Sequence, residues 1–322
     1  MPTLLLFLTL LLYPLPAFSA CDLRSVEFVR KDVLIFGGGS SGTYAAVKLR
    51  DSGKSVMIIE SKRTLGGHAE TWTDPLTGYT IDAGATVFPP VKRVKDYFSR
   101  WGVELSKARA KVDQKYVDFE TGIEVNFQPT DTEDFEAALR LYENQLDKHP
   151  GLKNGFNLTD PVHPDLLLSF RDFIEKYKLQ DLASTIFRIN QGLVPLLDVS
   201  MLYVFKSLNK DQLLALRNNY LTTSRHNIRA LYQKIADFLG PNVLLDTRVI
   251  DISRSTDREY DHRVLVNTTK SCRTILAGQL LVTMPPLPNE RSTFPLLGRE
   301  RDLFDKFHAG GYYSAILKKH RT

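Results

Sequence analysis

The stretch Asp32-Val33-Leu34-Ile35-Phe36-Gly37-Gly38-Gly39-Ser40-Ser41-Gly42, answered by Ser55-Val56-Met57-Ile58-Ile59-Glu60, constrains the fold more than anything else in the chain. The uninterrupted apolar run from Val33 to Phe36 reads as a strand buried on both faces of a parallel sheet. It ends in glycines spaced G-x-G-x-x-G, at Gly37, Gly39 and Gly42. In that spacing the first glycine makes a tight turn, the second lets the backbone approach a pyrophosphate, and the third lets a helix lie close to the strand. Gly42, Ala45, Ala46 and Leu49 then share one helical face while Lys48, Arg50 and Asp51 lie opposite, which predicts a helix from the glycines to Gly53. Its N-terminal amides and dipole face whatever anion the turn receives. The second strand closes on Glu60, whose carboxylate suits two ribose hydroxyls and repels a 2′-phosphate. This favours FAD or NAD over NADP.

The same residues spell G-x-S-x-G from Gly38 through Ser40 to Gly42, the nucleophile-elbow pattern of hydrolases. That elbow needs several strands and an oxyanion loop ahead of it, and almost nothing precedes Val33, so the hydrolase reading is rejected.

The first twenty residues read as a signal peptide. An apolar run from Leu4 to Leu12 is followed by Pro14, Pro16 and the small residues Ala17, Ser19 and Ala20, with cleavage expected after Ser19 or Ala20. The run is too short to span a bilayer, so no stable membrane span is expected after cleavage, and the protein is expected in the secretory pathway or outside the cell. Two glycosylation sequons, at Asn157 and Asn267, agree with that route. With Cys21 and Cys272 as the two cysteines, one bridge is possible and no disulfide framework is. His68, His149, His163, His226, His262, His308 and His320 are scattered without metal-ligand spacing, so no metal is expected. A net charge of +5 is modest, and basic residues alternate with acids, which leaves no basic aromatic patch for nucleic acid.

At 322 residues and 43% hydrophobic content, two domains are expected. Arg63-Thr64-Leu65-Gly66-Gly67-His68 and Asp74-Pro75-Leu76-Thr77-Gly78-Tyr79 read as turns, and Thr80-Ile81-Asp82-Ala83-Gly84-Ala85 as a short strand running into a small-residue loop. Helical patterning starts at Asp131, passes Phe135, Leu139 and Tyr142, and stops at Pro150-Gly151; Asp165 to Tyr177 and Leu179 to Phe205 continue it. Phe170, Phe173, Phe187, Tyr203 and Phe205 in this region are assigned to core sooner than to a pocket. The chain then returns to α/β character: a helix from Asn227 to Leu239 stopped by Gly240, then strands at Val243–Leu245, Val249–Ile252, Arg263–Val266 and Leu280–Thr283. The expected organisation is a leader over 1–20, a first nucleotide-binding part over 21–130, a helical substrate or cap region over 131–223, a second nucleotide-binding part over 224–290, and the start of an incomplete substrate domain over 291–322.

Four stretches together resemble the amine-oxidase superfamily of flavoproteins, which carry a glycine doublet after the second Rossmann strand. They are Gly37 to Gly42, Glu60 followed by Leu65-Gly66-Gly67-His68, Asp82-Ala83-Gly84-Ala85, and the late run from Asn242-Val243-Leu244-Leu245 through Val249 to Leu281-Val282-Thr283-Met284-Pro285-Pro286. The histidine after the doublet, with the turn from Asp74-Pro75 to Gly78, is similar to the beta-cyclopiazonate dehydrogenase family of fungal FAD-dependent oxidoreductases. The resemblance implies an α/β fold, a Rossmann-like FAD-binding domain with a parallel sheet and an inserted, mainly helical domain. It implies FAD as cofactor, with Gly37, Gly39, Ser41 and Gly42 at the diphosphate, Glu60 on the adenosine ribose, Gly66, Gly67 and His68 beside the diphosphate and flavin, and Val249 against the adenine. Members usually continue past the strand at Pro285-Pro286 and return to the first domain, so a C-terminally truncated copy is expected here.

What the resemblance implies chemically is hydride transfer from a small organic substrate, a specialised metabolite or an amine, to flavin N5. The lack of a Ser/His/Asp or Cys/His set agrees with chemistry carried by the cofactor. Alternatives are a double-bond isomerase acting on a polyunsaturated acid, and a catalytically silent FAD-binding protein.

Overall fold

The computed structural model describes residues 27–108, 115–118, 120–127, 132–190, 192–193, 195–256, 259–285, 287, 293–308, 310 and 314–316. The leader over 1–20, Cys21 and Pro286 lie outside the described residues. The chain runs β1 (Glu27–Phe36), α1 (Ser40–Asp51), β2 (Val56–Ile59), β3 (Ala69–Thr73), β4 (Thr80–Gly84), α2 (Lys92–Arg100) and β5 (Leu105–Lys107). A helical stretch follows: α3 (Thr132–Leu146), α4 (Pro164–Leu167), α5 (Phe170–Tyr177), α6 (Ala183–Ile189), α7 (Met201–Ser207) and α8 (Lys210–Asn218). Then come β6 (Leu221–Thr223), α9 (Arg229–Leu239), β7 (Val243–Leu244), β8 (Arg248–Arg254), β9 (His262–Asn267), β10 (Cys272–Val282) and α10 (Gly298–Phe304).

Two compact units result, Met1–Ala69 with Tyr232–His308 and Glu70–Leu231 with Ala309–Thr322. The first holds a six-stranded sheet in the order β7-β2-β1-β10-β9-β8. The strands β7, β2, β1 and β10 are parallel, but β10, β9 and β8 are antiparallel, so the sheet is mixed and not the parallel sheet expected from sequence. The reason is local. Thr268 N and Oγ1 both bond Ser271 O, at 3.0 and 2.7 Å, closing a tight turn between β9 and β10. A turn that short returns the chain antiparallel, whereas a parallel return needs a crossover.

The sheet also folds back over itself. Its outermost strands β7 and β8 are separated by residues 245–247 alone. Laid flat, six strands put the two edges about 24 Å apart at the ordinary strand spacing, and four residue steps reach only about 14 Å. The core shows the closure: Leu34, Phe36, Met57 and Ile59 from the parallel half pack in one cluster with Ile252, Val264, Val266 and Ile275 from the antiparallel half. Phe294 adds an edge-to-face contact on Phe36, with ring centroids 5.0 Å apart. The compact unit that holds this sheet includes Tyr232–His308.

The second unit begins at Glu70, well before residue 131. Its first strands are tied to its last: Leu105 to Lys107 pair antiparallel with Thr223 to Leu221, and Phe88 bridges Leu221. The helices bury Tyr142, Phe170, Phe173, Leu182 and Phe205 in one core. Of the five aromatics assigned to core, Phe187 and Tyr203 are instead half exposed, at 55% and 52%. The pattern from Asp165 to Tyr177 breaks at Ser169, which restarts the chain as the N-cap of α5 by accepting from Asp172 N at 3.1 Å. Among the described residues no helix is long and apolar enough to cross a membrane.

Candidate cofactor site

The cradle lies wholly in the first unit, where β1 ends and α1 begins. Val33 to Phe36 are buried, as is all of β2. Gly37 adopts φ +101°, and a Cβ on Gly42 would lie 2.0 Å from the Gly37 carbonyl oxygen, so both positions require glycine. The helix thereby starts almost in contact with the turn that feeds it. No side chain caps its N-terminus at Gly39 and no acidic residue lies in its first turn, while Lys48 and Arg50 in its last turn complement the dipole. Ser40 and Ser41 are exposed there. Backbone N–H groups without a capping carboxylate suit a bound anion.

Glu60 sits at the end of β2, 7% exposed. Its Oε2 accepts from Gly38 N at 2.6 Å and its Oε1 from Lys62 N at 2.7 Å. Ser61 Oγ also donates to Oε1 at 3.3 Å, so the carboxylate is held in place and Oε2 keeps a further lone pair for a ribose hydroxyl. A Cβ on Gly38, a free position in the motif, would meet Leu65 Cδ2 at 2.4 Å and the Glu60 side chain at 3.1 and 3.2 Å, so a larger residue there requires the Leu65 side chain to shift.

The glycine doublet docks directly on the first turn. Gly66 N donates to Gly38 O at 2.9 Å, Gly39 and Gly66 form a parallel bridge, and a Cβ on Gly67 would lie 3.0 Å from Gly39 Cα. Gly66 and Gly67 take φ +126° and +61°. Lys62 Nζ donates to Gly67 O at 3.1 Å, and His68 beside it is exposed. Val249 belongs to the segment that reaches the same end of the sheet. Glu60 N donates to Leu244 O at 2.9 Å, Asp246 N to Lys62 O at 3.0 Å and Thr247 N to Glu60 O at 3.0 Å, two residues before Val249. A β-bulge lies between Val249 and Asp251.

Two residues missed in the sequence complete the cradle. Thr283, just past β10, donates its hydroxyl to Phe36 O at 2.9 Å and lies 3.1 Å from Gly37 O, closing the back of the turn. Tyr232 on α9, 5% exposed, places its hydroxyl 2.7 Å from Ser40 Oγ and its ring against Gly66. A threonine ending an apolar strand is a weak signal for the first. Nothing in the local sequence singled out the second.

In the second unit, Asp82 of the Asp82-Ala83-Gly84-Ala85 stretch is a hub. Its carboxylate accepts from Thr71 Oγ1 at 2.7 Å, Thr223 Oγ1 at 2.8 Å and Ile228 N at 2.7 Å, tying β3, β4, β6 and the start of α9 together. Among the described residues no group of three metal-ligating side chains is assembled. An open, mostly apolar cavity of about 650 Å³ lies among the helices of this unit, with Phe170, Phe187 and Leu196 on its wall and the Arg171–Asp198 pair at 3.8 Å.

Over residues 40–318 the sequence matches the family described as flavin containing amine oxidoreductase. The chain belongs to that family. Relatives include the FAD-dependent oxidoreductase dbaF of Emericella nidulans, 35% identical over 305 residues that make up 94% of this chain and 64% of that one. A beta-cyclopiazonate dehydrogenase of Aspergillus flavus is 33% identical over 295 residues, 90% of this chain and 63% of the relative. Against the first such relatives the chain spans 62–66% of their length. Among solved structures, putrescine oxidase bound to putrescine shares the fold with TM-score 0.65 at 18% identity, covering 86% of this chain and 64% of that one. A fatty acid isomerase from P. acnes shares it with TM-score 0.67 at 22% identity and the same coverage. The cofactor of the family and of these FAD-dependent relatives is FAD, and the uncapped α1 N-terminus, the doublet and Glu60 fit it.

Proposed function

We propose that the protein is an FAD-dependent oxidoreductase that takes a hydride from a small organic substrate, a specialised metabolite or an amine. The observation that carries this reading is the docking of the Gly66-Gly67 turn onto Gly38 and Gly39, with Glu60 held beneath them. FAD, when bound, supplies the two-electron acceptor at flavin N5. The chain's own residues then bind and orient. The amides at the start of α1 receive the diphosphate, Glu60 takes the adenosine ribose, and the backbone around Val249 borders the adenine. Gly66, Gly67 and His68 stand beside the diphosphate toward the flavin.

The names of the relatives support an oxidoreductase, one of them a dehydrogenase. The fold itself is shared by an oxidase and an isomerase, so it leaves the isomerase alternative to experiment. The test is anaerobic. FAD is added to the purified chain, candidate substrates are supplied, and the visible flavin absorbance is followed. Bleaching with one oxidised product per flavin supports the oxidoreductase. A rearranged product with no net acceptor consumption supports the isomerase, and bound flavin that no candidate reduces or rearranges supports the silent binder.

The secretory-pathway assignment is likewise our proposal. It rests on the leader over 1–20 and on the sequon at Asn157.

A further inference from the structure

We propose that Tyr232 and Ser40 form a hydroxyl relay that donates a hydrogen bond to the dinucleotide diphosphate, an inference that rests on the FAD reading of the cradle. Ser40 is the first residue of α1, where amides and dipole favour an anion, and its side chain is exposed. Tyr232 approaches from α9, buried to 5% exposure, and its hydroxyl is 2.7 Å from Ser40 Oγ. A phenol has one proton. Burial pushes the Tyr232 phenol above its ordinary value, with the Ser40 bond opposing, so it keeps that proton at neutral pH.

Each hydroxyl has one donor and two acceptor sites. If the buried phenol spends its donor on Ser40 Oγ, the Ser40 proton is left to turn toward the exposed side, the side on which the anion arrives. The first bond polarises the second, so Ser40 becomes a stronger donor than a lone serine. The reverse direction, Ser40 donating inward, costs the anion this contact and leaves the phenol proton in a buried position. A bound diphosphate therefore selects the outward relay.

The same tyrosine also holds the second turn. A Cβ on Gly66 would lie 3.1 and 3.4 Å from Tyr232 Cδ2 and Cε2, so the ring roofs the glycine doublet while its hydroxyl reaches the first turn. One side chain on a distant helix thus couples both glycine turns. The two contacts separate by substitution: Tyr232→Phe keeps the ring over Gly66 and deletes the relay, and Ser40→Ala deletes it from the exposed end.

The test uses the full chain, with flavin fluorescence quenching for FAD and competition by ADP and by adenosine, which lacks the diphosphate. Ser40→Ala is expected to weaken FAD and ADP by on the order of tenfold, as loss of a hydrogen bond to a charged group does, and Tyr232→Phe by less, because Ser40 keeps its own proton. The double variant should lose no more than Ser40→Ala alone, because Tyr232 acts through Ser40. Adenosine competition should stay as in the unsubstituted chain. Unchanged FAD and ADP affinity in both variants would overturn the relay. So would equal losses for adenosine and ADP, or additive losses in the double variant. Should Tyr232→Phe fail to fold, the exposed Ser40→Ala decides alone. Failure of the unsubstituted chain to bind FAD overturns the FAD reading instead, so the two failures are distinguishable.

Discussion

The cofactor cradle and the helical unit are held together by different means. In the cradle, backbone meets backbone: Gly42 against the Gly37 carbonyl, Gly66 N on Gly38 O, Gly67 against Gly39. In the helices, aromatic side chains interlock, with Phe205 touching both Tyr142 and Phe173 at ring-centroid distances of 5.2 and 5.5 Å. Backbone packing tolerates no added atom, and side-chain packing tolerates some. Substitution in the cradle should therefore remove function abruptly, and substitution in the helices should erode stability by degrees.

The largest effect is expected at Gly42→Ala. Its Cβ would lie 2.0 Å from a main-chain oxygen that cannot yield cheaply, so a loss of about 5 kcal/mol of stability is predicted, with no flavin uptake; denaturant melts and flavin absorbance read the two. Next comes Phe205→Ala, which empties the helical core and should cost about 3–5 kcal/mol. The contrast between the regions breaks if this variant, once folded, has lost FAD affinity as Gly42→Ala has. Asp82→Asn sharpens it, since Asp82 holds the second unit's strands by polar bonds rather than rings. Weakening three bonds to its carboxylate should cost about 2 kcal/mol, seen as a lowered melting temperature.

A smaller effect concerns pH. His149 meets His163 ring to ring at 5.1 Å and is held below its ordinary value of 6.5 by burial, then by the His163 charge, with Asp165 opposing and Lys148 adding. As pH falls the unfolded chain takes up this proton first, near 6.5, and the folded chain only lower down. Stability should fall between those two values. Asp165 is not responsible in that range. Burial pushes it up, but its bonds from Lys176 and Tyr177 prevail and hold it below its ordinary 3.8, so it stays ionised. The helical unit should soften just under pH 6.5, and His149→Phe should flatten the slope in pH-dependent melts.

The smallest effect is on the surface. Asn157 is exposed whereas Asn267 lies 6% exposed within β9, so the folded chain presents Asn157 to a glycan and not Asn267. Asn157→Gln should abolish any deglycosidase-sensitive mass shift, and Asn267→Gln should leave it intact.

The same contrast explains what the sequence made legible. The glycines of the cradle and Glu60 were readable because a backbone contact needs one residue type at one spacing. Thr283 and Tyr232 were not, because a hydroxyl arriving from a distant strand or helix needs only the right place in three dimensions. The sheet's antiparallel half hid for a similar reason. Val264 and Val266, Ile275 and Ala277 are apolar whichever way the strands run, and only the Thr268–Ser271 turn sets their direction. In the helical unit, burial followed tertiary packing: Phe187 patterned as core and stands half exposed. Patterning changes at residue 131, but β5 pairs with β6, and the second unit starts at Glu70.

Titration of the purified chain with FAD, beside the Gly42→Ala variant and with NADH as a comparison ligand, asks whether the glycine cradle receives the flavin dinucleotide. Saturable, one-to-one quenching of flavin fluorescence by the unsubstituted chain, absent from Gly42→Ala and not displaced by NADH, is the predicted result. No uptake of FAD, or equal uptake by both proteins, would contradict the assignment of the glycine cradle to the flavin dinucleotide.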